Sequence, residues 1–426
     1  MATRISRRTV LATGAGAAGL ALPGVAAYAA DRTPATVRFT LNAQVLDGGE
    51  QVTSITLETA RLGPIDPAGL TTATFGVHAK GTRPFPSAPD DDSVSDYDLD
   101  RTVTAVRLDR NGNIVLELGY GEGQTGGSTL SYLADEGRNV MLDLTYTLTQ
   151  HAPIVLRDQR TVVIETFVQN PRLSDPEVDA FSAHVSGSGM KYRLYSPTEV
   201  HSTRRDRRPL IVWLHGGGEG ASLPDNYYDN ETTLRANRGA LGFATPEAQR
   251  IFGGAYVLAP QSTSYWMEDG PRFAPLIHEI IGEVVRRHRI DRDRIYVAGC
   301  SNGGYMSMKM TTVYPTLFAA SVPICGIVTA FPPGPGGAPL LPDSELARIT
   351  TPSWLVTSGD DTVVDSQANT VHAHEVIPGS LMTLYDHVIW NGYQFHGHFS
   401  WIYVARNDPS IDGTHIWQWM AAQRRH

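Results

Sequence analysis

Gly299-Cys300-Ser301-Asn302-Gly303 is the stretch that decides how this chain folds. The apolar run Arg294-Ile295-Tyr296-Val297-Ala298 precedes it, and the helix-compatible segment Tyr305 to Thr312 follows. A buried strand, a sharp turn centred on serine and then a helix make a nucleophile elbow. The glycines two before and two after the serine remove side chains that would collide with the neighbouring strand and helix. The hydroxyl is left exposed, with a helix N-terminus behind it.

Working outward, Pro209-Leu210-Ile211-Val212-Trp213-Leu214 reads as a strand covered on both faces. Helical spacing follows in Phe273, Leu276, Ile277, Ile280, Ile281, Val284 and Val285. Further apolar runs occupy Phe318 to Ile324 and Trp354 to Thr357. Strands alternating with helices predict a mostly parallel sheet with helices on both faces. Residues 35 to about 180 have another texture. Val37 to Leu41, Ile114 to Leu118 and Leu142 to Leu148 alternate, Thr161 to Val168 is β-rich, and Asn111-Gly112 is a hairpin turn signal. These predict an antiparallel β-sandwich. The domain limits are 31–182 and 183–426, with the change near Gly187-Ser188-Gly189.

Residues 1–30 read as an export signal. Arg7-Arg8 opens a twin-arginine pattern, Val10 to Ala30 is a weakly apolar run rich in Ala and Gly, and Ala27-Tyr28-Ala29 is a small-x-small cleavage site. The alternative, a membrane anchor, suits a Gly-interrupted run poorly. The expected mature protein begins near Ala30 or Asp31 and is secreted. The 426 residues, 41% apolar and 19% charged, are enough for two domains. The net charge of −9 argues against a nucleic-acid partner. The only cysteines, Cys300 and Cys325, sit at the ends of neighbouring predicted strands, and a disulfide or a pair of buried thiols are both compatible with that. No metal-ligand spacing is present, and the chemistry below needs no cofactor.

Two more features belong with the elbow. His215-Gly216-Gly217-Gly218 directly follows a strand. A glycine-rich turn brings backbone N–H groups close to a substrate, and acyl transfer needs such donors for its oxyanion. Gly217 and Asn302, the residue after the serine, are the expected donors. An acid and a histidine then follow in the order Ser, acid, His. Asp361 lies in Gly359-Asp360-Asp361-Thr362-Val363-Val364; Asp360 and Asp365 compete with it, but Asp361 fits an Asp-x-x-Val pattern that returns a valine to the core. His398, in Gly397-His398-Phe399-Ser400-Trp401, is the expected general base, with His396 and His387 as rivals. Trp266 and Trp401 are either walls of a substrate pocket or core aromatics. The stretch Phe331 to Pro342 is a lid or a surface loop, and Gly81 to Asp100, with Asp90, Asp91 and Asp92, is a solvated loop without calcium-ligand spacing.

Leu214 to Gly218, Ala259-Pro260-Gln261, Gly299 to Tyr305 and Gly397 to Trp401 together resemble secreted α/β-hydrolase esterases related to prolyl-oligopeptidase-like hydrolases and polyhydroxybutyrate depolymerases. Some of that group carry an N-terminal immunoglobulin-like domain, which residues 35 to 180 resemble. The resemblance implies a triad at Ser301, Asp361 and His398, oxyanion donors at Gly217 and Asn302, and an ester substrate, small or polymeric. Many of that group have a histidine at the start of the acid loop, where this chain has Thr357-Ser358-Gly359. The same machinery would serve a serine peptidase or a polyester depolymerase; a non-catalytic surface-binding protein is the reading from another class.

Overall fold

The computed structural model describes residues 33–84, 96–133, 137–197, 207–220, 230–330 and 337–425. The expected export signal at 1–30 and the Asp90 to Asp92 run lie outside these residues, as does the first half of the Phe331 to Pro342 stretch.

In the first half, alternation does what the sequence suggests. Val37, Phe39 and Leu41 turn inward from Thr33–Leu46, and Ile114, Leu116 and Leu118 do so from Ile114–Leu118. They meet Phe75, Val77 and Ala79 of Phe75–Thr82 in one core shared by two sheets. One sheet has the order Ile154–Val155, Thr161–Gln169, Thr33–Leu46, Gly49–Leu57, Ile114–Leu118, Val103–Leu108. The other has the order Tyr97–Arg101, Phe75–Thr82, Asp143–Gln150. The Asn111-Gly112 turn joins Val103–Leu108 to Ile114–Leu118, with Gly112 at φ 85° and the Asp109 carboxylate accepting from the N–H groups of Asn111 and Asn113. The expectation of a wholly antiparallel half needs one correction. Thr33–Leu46 and Thr161–Gln169 run parallel, with Val37 opposite Phe167. The rest of the half lies between them in sequence, a connection long enough for a parallel pair.

The second half is built on an eight-stranded sheet. Its strands are Phe181–Val185 (β1), Lys191–Tyr195 (β2), Arg208–Leu214 (β3), Tyr256–Pro260 (β4), Ile290–Cys300 (β5), Ala320–Ile324 (β6), Trp354–Ser358 (β7) and Leu381–Tyr385 (β8). The order is β1-β2-β4-β3-β5-β6-β7-β8, with β2 antiparallel to both its neighbours and the remaining pairs parallel. The strand β1 straddles the expected boundary at 182/183. Both faces of the sheet are covered: along β5, Tyr296, Ala298 and Cys300 enter one core, while Ile295 and Val297 enter the other. Gly270–Arg287 packs its apolar stripe of Phe273, Ile277, Ile280, Ile281 and Val284 on the second core, and the Asp269 carboxylate caps its start at the N–H of Arg272.

The halves are locked together around the turn after Thr33–Leu46. Val45 packs into the first core of the second half, and its carbonyl accepts from Arg238 at 2.6 Å. Asp47 pairs with Arg406 at 2.9 Å, and buried Glu50 pairs with buried Arg235.

Candidate active site

Ser301 follows β5 and caps Asn302–Val313, with φ 55° and ψ −117°. A non-glycine residue is strained there, and the strain is held by the surroundings. The Ser301 N–H donates to the Ile324 carbonyl of β6 at 2.8 Å. The glycines around it are required by close approach. A Cβ at Gly299 would lie 2.6 Å from the Leu214 carbonyl oxygen, and one at Gly303 would lie 2.6 Å from that of His215. The elbow is thus pressed against the end of β3, where the glycine run begins.

His215 organises that run. It is wholly buried, and burial pulls its imidazole down to about 4, so the ring is neutral. Its Nε2 accepts from the Ser262 N–H at 3.0 Å, which leaves the proton on Nδ1 to donate to the Gly216 carbonyl at 2.6 Å. The Trp266 indole N–H donates to the His215 carbonyl at 3.1 Å. Trp266 is 0% exposed and lies against His215 and Phe273, so it is a core side chain and not a pocket wall.

Gly217–Glu219 forms a short 3-10 turn, and Glu219 is buried. Burial pushes its carboxyl up to about 7, against the pull of the Gly216 and Glu219 N–H groups. The Asn302 side chain is buried too, and its Oδ1 accepts from the Met267 N–H at 3.0 Å, which leaves its backbone N–H to open the helix beside Ser301.

Beyond β7, Asp361 has its carboxylate wholly enclosed. Its Oδ1 accepts from the N–H groups of Val363 and Val364, both at 2.9 Å, and its Oδ2 meets His398 Nδ1 at 2.7 Å. Asp360 turns the other way, to Ser358 and to exposed His387. Burial works against its carboxylate, but Ser358 and His387 outweigh it and keep its pKa below the ordinary value. Asp365 caps the following turn at the N–H of Ala368. His396 accepts from the His398 N–H and meets Thr362. A Cβ at Gly397 would lie 2.5 Å from the Asp360 carbonyl oxygen, so only glycine lets the histidine loop come this close to the acid loop. Trp401 is buried and stands edge-on to the His398 ring, with centroids 5.5 Å apart.

Cys325 completes the connection. It follows β6 at φ 40°, directly after the Ile324 whose carbonyl holds Ser301, and its thiol donates to the His398 carbonyl at 3.4 Å. Both cysteines are free and buried. Burial would depress the His398 imidazole, but the Cys325 sulfur and the Asp361 carboxylate outweigh it and raise the pKa above the ordinary histidine value. Ligand atoms of Cys325, Asp361 and His398 lie within 4.8 Å of one another, close enough in principle to hold a metal ion. The Asp361–His398 hydrogen bond already occupies two of the three. Sequence reasoning missed Cys325 as a neighbour of His398 and Glu219 as a buried acid. The only signals were the place of the first after a strand and of the second after the glycine run.

Comparison with known proteins places the chain among hydrolases of related fold. A thermostable esterase of known crystal structure superposes with a TM-score of 0.69 at 25% identity, over 91% of this chain and 99% of that one. The second half has the α/β-hydrolase fold. The α/β-hydrolase half also carries a match to the prolyl oligopeptidase family at residues 277–330, which include the elbow. A putative esterase, NocK of Nocardia uniformis subsp. tsuyamanensis, is 25% identical over 39% of this chain and 46% of its own length. Poly(3-hydroxyalkanoate) depolymerase C of Paucimonas lemoignei is 33% identical over 28% of each chain. The chain spans less than half the length of these curated relatives. No helix among the described residues is long and apolar enough to cross a membrane.

Proposed function

We propose that this chain is a secreted serine carboxylic-ester hydrolase that works through an acyl-enzyme. Ser301 attacks the ester carbonyl as its proton passes to His398 Nε2. Asp361 holds Nδ1 and stabilises the imidazolium. The N–H groups of Gly217 and Asn302 receive the oxyanion. His398 then protonates the departing alcohol, and water repeats the sequence to release the acid. The observation that carries this reading is the enclosed Asp361–His398 hydrogen bond of 2.7 Å, tied through Cys325 and Ile324 to a strained serine at the same sheet edge. On this reading residues 1–30 direct export by the twin-arginine route, 31–182 form an immunoglobulin-like sandwich and 183–426 the hydrolase.

A polyester substrate is the second reading, supported by the likeness to the Paucimonas depolymerase. A panel of p-nitrophenyl esters of graded acyl length, an aminoacyl anilide and a polyester film separates the cases. The proposal expects ester turnover lost by at least about a thousandfold in Ser301→Ala, and no anilide cleavage. Film clearing would move the assignment to a depolymerase. Anilide cleavage would move it to a peptidase, and binding without turnover to a non-catalytic protein.

A further inference from the structure

Three consecutive glycines, Gly216, Gly217 and Gly218, carry one of the proposed oxyanion donors. Such a run has no side chains to fix its own backbone, so its shape must be imposed from outside. The α/β-hydrolase half supplies part of that frame. His215 holds the Gly216 carbonyl, and Gln261 Nε2 donates to the Glu219 carbonyl at 3.0 Å.

The other part comes from the β-rich half. The antiparallel strands Leu130–Leu133 and Arg138–Met141 lie against this loop. Asn139 Nδ2 donates to Glu219 Oε1 at 3.3 Å, across 80 positions of sequence. The same amide covers Gly218, where a Cβ would come within 2.8 Å of it and within 3.3 Å of the Tyr132 ring. Tyr265, whose ring would meet a Cβ at Gly217 at 3.2 Å, donates its hydroxyl to the Gly137 carbonyl at 3.3 Å. Glu219 in turn lies against Gly216, with Oε2 3.0 Å from where a Cβ would stand. One amide side chain therefore reaches both ends of the glycine run, one directly and one through a buried carboxyl group.

We propose that Asn139 is a positioning residue for ester hydrolysis: through Glu219 it holds the 216–218 loop in the shape that receives the oxyanion, which makes the strand Arg138–Met141 a wall of the catalytic cleft. Its partner Glu219 is the intermediary and touches no reacting atom. The inference rests on the assignment of Ser301 and the oxyanion donors above. A loop that sags by a fraction of an ångström still binds the ester but no longer meets the tetrahedral oxygen, so the loss falls on kcat and not on KM.

The test uses the full chain and p-nitrophenyl butyrate. Asn139→Ala is expected to lower kcat roughly tenfold at unchanged KM, with a thermal midpoint within about 2 °C of the parent. Asn139→Asp, which sets a carboxylate against Glu219, is expected to lose more. Asn139→Asp combined with Glu219→Gln reverses donor and acceptor and is expected to recover most of kcat. Rescue in that pair is a readout that a general packing role would not give. Folded Asn139→Ala and Asn139→Asp proteins with kcat within about twofold of the parent would overturn the inference, as would failure of the exchanged pair to recover. Ser301→Ala run alongside keeps the two levels apart. If it retains turnover, the assignment of the nucleophile is wrong; if it is inactive while the Asn139 variants are fully active, only the positioning role is lost.

Discussion

His398 gathers the tensions of the site into one side chain. It is buried, which disfavours the imidazolium, yet it sits on the enclosed Asp361 carboxylate and beside the Cys325 sulfur, which favour it more. In the proposed reaction His398 must be neutral to accept the Ser301 proton, so a raised pKa moves the acidic limb of activity upward. We expect kcat/KM to climb with pH through a limb above 6.5, the ordinary histidine value. Cys325→Ala removes one of the raising neighbours and should shift that limb to lower pH; an unmoved limb would show that sulfur plays no part. Part of this residue-scale arrangement was legible beforehand. Glycine context and chain order singled out Asp361 and His398 among their rivals, and these two side chains meet at 2.7 Å. The place of Trp266 was not legible, because a sequence places an aromatic near a motif without saying which way the ring turns. Here it turns into the core, onto His215.

At the scale of elements, two loops meet only because glycine permits it. The turn that presents His398 crosses the acid loop at Gly397, with the Asp360 backbone where a Cβ would need to be. Gly397→Ala should push the His398 turn away from Asp361. We expect a fall in kcat on the order of a hundredfold, since about an ångström of misplacement has that effect, while far-UV circular dichroism stays that of the parent. The strand pattern behind these loops followed from periodicity, and both cores of the eight-stranded sheet could be read from its continuous apolar strands. Strand partners were less readable. Alternation along Thr33–Leu46 and Thr161–Gln169 gives the buried face of each but not that they lie side by side in parallel.

The whole molecule is held by contacts between residues far apart in sequence, which no local pattern encodes. Arg406 reaches Asp47, Arg238 reaches Glu177 and the Val45 carbonyl, and Arg235 reaches Glu50. Glu50 is fully buried, and burial outweighs Arg235 and Thr129 to push its carboxyl up to about 8. A folded-state acid with a raised pKa binds its proton more tightly than the unfolded chain does, so this contribution is present at low pH and is lost as pH rises from about 4.5 toward 8. Glu50→Gln keeps a neutral side chain of the same shape and should flatten the fall of the thermal midpoint over that window. A slope identical to the parent's would rule out Glu50 as its source.

The proposed catalysis requires one covalent bond, that between Ser301 Oγ and an acyl group, which a phosphonyl group can mimic. Treating the full chain with a fluorophosphonate and mapping the adduct by peptide mass spectrometry tests it most directly. One stoichiometric adduct on Ser301, absent from Ser301→Ala and slowed in His398→Ala, is the predicted result. A modified residue elsewhere, or equal labelling of Ser301→Ala, would contradict it.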